Sequence, residues 1–170
     1  LWGLFKKIVI ADRLGVFVND TFGVTSGYIS LLTVIFYTIE LYAEFSGFID
    51  MAIGGAKMFG IDLPANFKRP FFSKTVEEFW RRWHITLGAF LRDYVFYPVS
   101  LSKANMKLSK FNNSHFGAFL SKFLASAIPL FFVWFLNGLW HGASEKYILY
   151  GLYYYIIMMI GLLIEPLFRK

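Results

Sequence analysis

The sequence predicts an all-α, polytopic integral membrane protein, and three observations carry the prediction. Hydrophobic residues make up 57% of the 170 residues, with a mean hydropathy of +0.53; a soluble domain sits nearer ~45–50% apolar. Two long runs are almost free of charge: residues 116–140, with Lys122 as their one charged side chain, and residues 147–164, with none. Much of the remaining charge gathers in basic loops and one amphipathic segment, so transmembrane helices plus an interfacial helix account for the pattern.

The elements follow in chain order. Residues 8–18 (IVIADRLGVFV) are apolar but interrupted by Asp12 and Arg13, which predicts a short or partly buried helix. Residues 29–53 form a longer apolar stretch that contains Glu40, Glu44 and Asp50. Carboxylates at membrane depth are costly and face a protein interior or a water-filled cavity. Glu40 and Glu44, four residues apart, share a helix face. Gly54, Gly55 and Gly60 then loosen the chain, and residues 56–74, with Lys57, Lys68, Arg69, Lys74 and two prolines, predict a loop on the cytoplasmic side.

Residues 75–98 (TVEEFWRRWHITLGAFLRDYVFYP) predict one amphipathic helix lying in the membrane interface. Thr75 followed by Glu78 is a capping-box signature. On a helical wheel Val76, Phe79, Trp80, Trp83, Leu87, Phe90, Leu91 and Tyr94 fall in an apolar stripe about 120° wide. Glu77, Arg81 and Arg92 lie opposite, Glu77 with Arg81 and Glu78 with Arg82 make i,i+4 pairs, and Pro98 closes the pattern. Arg92 and Asp93, adjacent on a helix, are expected to point apart. A loop with Lys103, Lys107 and Lys110 follows, and it includes His115 in KFNNSHFG. Residues 116–140 are long enough to cross a bilayer core of ~30 Å, with a kink expected at Pro129. Residues 147–164 make a second span, and Arg169 and Lys170 return to the basic side. The expectation is a single membrane domain over residues 1–170. A start on Leu1 in mid-pattern suggests a piece of a longer chain, and no signal-peptide pattern is visible.

Composition removes several functions. With no cysteine there is no disulfide framework, thiol nucleophile or zinc–thiolate site. The formal net charge of +6 fits basic loops against anionic headgroups better than nucleic acid, because no basic stripe stands on a soluble scaffold. No His/Asp/Glu cluster is tight enough for a metal, and no serine stands in a G-x-S-x-G setting.

Three histidines remain. His84 falls at the border of the apolar stripe and the charged face. It reads either as an interfacial histidine among tryptophans or as a group held by Arg81 and Glu77 over a polar pocket. His141, in NGLWHGAS with Gly142 as the expected C-cap, reads either as a cap for the last carbonyls or as an intramembrane ionisable group. Histidine is the usual base when a hydroxyl must lose a proton near neutral pH. His115 reads as a loop residue. Glu44 and Asp50 either line a cavity or pair with the arginines.

The run EFSGFIDMAIGGAKMFGIDLPANFKRPFFSKTVEEFWRRWHITLGAFLRDYVFYP, followed by NGLWHGA and preceded by LWGLFKKIVIADRL, resembles the membrane-bound O-acyltransferase family. Within it, the chain is similar to the bacterial branch of alginate O-acetylation and teichoic-acid D-alanylation membrane proteins. The resemblance implies a helical fold with a tunnel through the membrane, of which this chain would be the central catalytic part. It implies His141 as the catalytic residue and His84 as the second active-site residue. Trp83, Arg81, Asn137, Trp140, Asp50 and Glu44 are expected to bind substrate or line the tunnel. The implied reaction moves an acyl group, acetyl first and D-alanyl as the alternative, to a hydroxyl of a cell-envelope polysaccharide or to an acyl-accepting partner protein. The donor would be a thioester substrate, acetyl-CoA or carrier-linked, with no bound cofactor. The setting would be the bacterial inner membrane, with lipid as a further partner. A rival reading needs no enzyme: a transporter segment in which Glu40, Glu44 and Asp50 form an ion path.

Overall fold

The computed structural model describes residues 1–24 and 26–168, with side chains described up to residue 164. The predicted return of Arg169 and Lys170 to the basic side lies outside the described residues. The fold is helical, with no β-strand among the described residues. It forms two compact units, Leu1–Phe67 and the chain from Lys68 onward.

The first unit pairs a broken N-terminal helix with one long helix. α1 (Trp2–Phe5) passes through a π-helical stretch, Lys6–Ala11, into α2 (Asp12–Thr21). This is longer than the short helix predicted, because Asp12 and Arg13 do not interrupt it. α3 (Gly27–Met58) is long and apolar enough to cross a membrane. Gly54 and Gly55 stay inside α3; the helix ends later, where Gly60 adopts φ +75° and the Ile61 N–H reaches back to the Ala56 carbonyl (3.0 Å). The loop predicted from residue 56 therefore begins after Met58.

Consecutive lysines of the π-helical stretch both reach carboxylates of α3. Lys6 Nζ lies 2.8 Å from Asp50 Oδ2 and donates to Ser46 Oγ at 3.1 Å; Lys7 Nζ lies 2.5 Å from Glu44 Oε1 and 2.8 Å from Asp12 Oδ1. Asp50 and Glu44 thus pair with lysines, not with arginines. Beside them, Val18, Ala11 and Ala43 are buried, and Phe17 meets Phe36 edge-on at 5.0 Å.

The second unit opens on a short 3-10 turn, Pro70–Phe72, then α4 (Val76–Arg82), α5 (Ile85–Leu91), a π-helical stretch Arg92–Phe96, and α6 (Tyr97–Ser100). The single amphipathic helix expected over residues 75–98 is therefore broken, and its wheel does not run through Trp83 and His84. Pro98 does not close it either. It sits where the π-helical stretch passes into α6, with helical backbone on the two residues before it. Arg92 and Asp93 do not point apart: Nε–Oδ1 is 2.8 Å and Nη2–Oδ2 is 3.2 Å, a forked pair formed at the wider π-helical turn.

α7 (Lys103–His141) is two legs joined at Gly117, which takes φ +80°, ψ 168°. Asn105 Nδ2 donates to the Ala125 carbonyl (3.1 Å), and Ser121 Oγ donates to the Ser109 carbonyl (2.8 Å). Those pairings make the legs antiparallel, a helical hairpin. The stretch read as a basic loop, with Lys103, Lys107, Lys110 and His115, is its first leg. Asn105, Ser109 and Asn112 share one face, toward the second leg; Lys103 and Lys107 fall on the opposite side, and Lys110 lines a cleft formed with the second leg. The break falls at Gly117, while Pro129 keeps helical geometry. α8 (Glu145–Phe168) follows. The apolar stretches of α7 and α8 are each long enough to cross a membrane, as predicted from residues 116–140 and 147–164.

Candidate active site

The site is built around the break between α4 and α5. Thr75 Oγ1 accepts the Glu78 N–H at 3.0 Å, while Glu78 Oε2 reaches back to the Lys74 N–H at 2.7 Å, one residue earlier than a standard capping box. Glu77 holds Arg81 at 3.4 Å, and Glu78 pairs with Arg82. Trp80 fixes the helix on its apolar side: it meets Trp134 of α7 at 4.9 Å and Tyr154 of α8 at 4.8 Å, both edge-on. The helix then stops. Trp83 is extended and stacks on Phe79 (5.6 Å), and the Lys68 N–H bonds the Arg82 carbonyl at 2.9 Å.

His84 takes a left-handed conformation, φ 46° and ψ 55°. Such a conformation is uncommon outside glycine, though histidine tolerates it better than most. Its carbonyl accepts the Gly88 N–H at 3.0 Å and so starts α5. The reversal turns the imidazole toward α7, where it meets the Trp140 ring at 5.4 Å and 61°. Burial, with the neighbouring His141, holds the His84 ring below the ordinary imidazole range. His84 and Trp140 line a cleft of about 560 Å³ with Thr86, Leu87, Phe90, Leu91, Val95 and Leu136.

His141 is the last residue of α7. Its ring meets Trp140 at 4.8 Å, Tyr147 at 6.1 Å nearly parallel, and Tyr150 at 5.5 Å edge-on. Gly142 caps α7 as expected, with its N–H on the Leu139 carbonyl (3.1 Å). A Cβ there would lie 2.7 Å from the Tyr147 ring. Asn137, one turn before His141, is 6% exposed and interacts with the side chain of Tyr150.

Among the predicted site residues, the structure brings together His84, Trp140, His141 and Asn137. Trp83 packs on Phe79 and Phe71 and is not part of the cleft wall. Arg81 is not over His84. Its side chain is 69% exposed and pairs with Glu77, so neither residue holds the histidine. Glu44 and Asp50 belong to the first unit and are neutralised by Lys7 and Lys6. His115 is helical, with Nδ1 2.8 Å from the Phe111 carbonyl. Sequence reasoning missed Tyr147 and Tyr150, whose one signal was the tyrosine-rich run after GLWHG, and Thr86. Among the described residues no group of three His, Cys, Asp or Glu could hold a metal.

The profile of the membrane-bound O-acyltransferase family matches residues 5–170, and the chain belongs to that family. It is 38% identical over 152 residues to the probable alginate O-acetylase AlgI of Pseudomonas syringae pv. tomato, covering 88% of this chain and 26% of that protein. It is 35% identical over 161 residues to the peptidoglycan O-acetyltransferase of Helicobacter pylori (93% and 27%). It is 32% identical over 159 residues to the teichoic acid D-alanyltransferase of Bacillus subtilis (92% and 38%). The chain therefore spans about a quarter to two-fifths of the length of these relatives.

Proposed function

We propose that this chain supplies the acyl-transfer centre of a bacterial inner-membrane O-acyltransferase that moves an acyl group, acetyl first, from a thioester to a hydroxyl of a cell-envelope polysaccharide or of an acyl-accepting partner. The observation that carries the reading is Trp140, whose ring touches both His84 and His141. Family membership and relatives named for acetyl transfer to alginate and peptidoglycan support the reaction class.

In the mechanism, His141 takes the proton of the acceptor hydroxyl. The oxygen attacks the thioester carbonyl carbon, a tetrahedral oxyanion forms, the C–S bond breaks as the carbonyl re-forms, and His141 passes its proton to the leaving sulfur, releasing the thiol and restoring the base. His84, neutral at pH 7, stands on the cleft wall to orient the acceptor or the carbonyl. General-base help of this kind contributes about 10²–10⁴-fold, and the apolar cleft wall excludes competing water.

Two observations favour variants of this reading. His84 itself lines the cleft and is kept neutral by burial, which suits the base role as well. Similarity to the teichoic acid D-alanyltransferase favours D-alanyl as the alternative acyl group. The transporter reading keeps only Glu40 of its three carboxylates unpaired, because Lys7 and Lys6 already neutralise Glu44 and Asp50.

The test is acyl transfer in membranes carrying the full-length parent, with labelled acetyl and D-alanyl donors, for wild type, His141→Ala, His84→Ala, and Glu40→Gln with Glu44→Gln. Loss in the histidine variants at normal protein level, with the carboxylate variant active, is the expected result. Full transfer by both histidine variants would overturn the reading.

A further inference from the structure

The hairpin of α7 forms a second cleft, separate from the histidines, whose chemistry is that of a phosphate site. Its volume is about 440 Å³, and its walls include Ser109, Lys110 and Asn113 from the first leg and Ser121, Lys122 and Ser126 from the second. The legs are tied by side chains deep in the seam: Asn105, Asn112 and Ser121 are 5%, 4% and 4% exposed. The Asn105 amide also bonds the Ser100 carbonyl (3.1 Å). The two lysines are thereby carried on a fixed frame.

The electrostatics are one-sided. Residues 94–144 contain four lysines and no aspartate or glutamate. Among the described residues, neither Lys110 nor Lys122 makes a salt bridge. Two ammonium groups with hydroxyl and amide donors around them match a phosphate oxygen cluster, for which Lys serves as a point charge. The surroundings say where such a phosphate would come from. The cleft sits by the Gly117 turn, at the end of a leg apolar enough to cross a membrane, and Phe111, Phe116 and Phe119 stand more than half exposed beside it. Exposed apolar rings of this kind bury against lipid, as on the apolar face of an interfacial helix.

We infer that the Lys110–Lys122 cleft of the α7 hairpin binds a phosphate-bearing anion at the membrane surface, with an anionic phospholipid headgroup as its source. The site is independent of the acyl-transfer reading, since it shares no residue with the His84 cleft.

The test uses the full-length protein in nanodiscs of phosphatidylcholine with a minor share of phosphatidylglycerol, and counts lipids retained by native mass spectrometry. Each Lys near an anionic surface contributes about 1 kcal/mol, so Lys110→Gln with Lys122→Gln should weaken phosphatidylglycerol retention by roughly 30-fold. Lys103→Gln with Lys107→Gln, which do not line the cleft, should leave it unchanged, and Lys110→Arg with Lys122→Arg should preserve it. If the double glutamine variant does not fold, Lys122→Gln alone is read against the arginine pair. Displacement by excess inorganic phosphate, without preference for phosphatidylglycerol, would assign the same site to free phosphate. Retention that falls equally in the Lys103/Lys107 variant, or that does not change in any variant, would overturn the proposal.

Discussion

The imidazole of His84 and the indole of Trp140 meet with ring centres 5.4 Å apart and planes at 61°, while the same indole meets His141 at 4.8 Å. One side chain therefore touches both histidines. Aromatic pairs of this geometry hold orientation worth about 0.5–1.5 kcal/mol each beyond area burial. Trp140→Ala is expected to lower acyl transfer by the full-length parent about tenfold or more, at normal protein level, because one such contact maps to about a factor of ten. Trp140→Phe, which keeps a ring, should retain most of the rate. A rate for Trp140→Ala equal to wild type would show that the indole does not position the histidines.

The backbone of His84 gives a second prediction. A left-handed L-residue carries roughly 1–2 kcal/mol of strain that glycine does not. His84→Ala and His84→Gly both remove the ring, so their difference isolates the backbone. His84→Gly should be more stable than His84→Ala by about 1 kcal/mol in denaturant unfolding of the detergent-solubilised parent, and both should lose transfer. Equal stability would mean that the φ of +46° is not held in the intact protein.

That break was the feature least legible in the sequence. The residues of 75–98 are periodic on both sides of it, and nothing in WRRWHITLG announces a reversal, since the residue that turns is a histidine and not a glycine. The reversal is imposed from outside the segment, by Lys68 on the Arg82 carbonyl and by Trp80 locked against Trp134 and Tyr154. The apolar spans of α7 and α8 were legible because they depend on composition alone. The first leg of α7 was not: it is held by the Asn105 amide on the Ala125 carbonyl and by the Ser121 hydroxyl on the Ser109 carbonyl, and a leg rich in Asn and Ser reads locally as loop. At the site, the Trp-His pairs were readable, but Arg81 was misplaced because the wheel was drawn through the break.

Acid should weaken the protein through His84. Its folded ring is held below the ordinary value by burial and by His141. An unfolded imidazole binds its proton near pH ~6.5. Between the lowered folded value and ~6.5 the unfolded state therefore holds more protons, and stability rises with pH through that window. The His84 contribution is complete above ~6.5 and is lost as the pH falls. Thermal unfolding of the detergent-solubilised parent from pH 7.5 downward should show a steeper loss for wild type than for His84→Gln. Parallel curves would remove the pH effect from this residue.

The packing of α7 on α8 sets the position of His141, and it depends on two glycines. A Cβ built on Gly138 lies 3.5 Å from the Cα of Gly151, the reverse approach is also 3.5 Å, and each new atom would also run into a backbone carbonyl, of Tyr147 and of Trp134 respectively. Carbonyls cannot swing aside as a side chain does, so the helices must part. Small residues of this kind are what let membrane helices approach. Gly151→Ala should therefore lower both stability and acyl transfer, since Tyr150 and Tyr147 carry His141 and move with α8. Gly54→Ala is the matching control: it sits inside α3, meets nothing within 4 Å, and gains helix propensity worth up to about 1 kcal/mol. Unfolding and transfer measured on both variants of the full-length parent separate the cases. A Gly151→Ala protein as stable and active as the Gly54→Ala protein would show that α7 and α8 do not need this close approach.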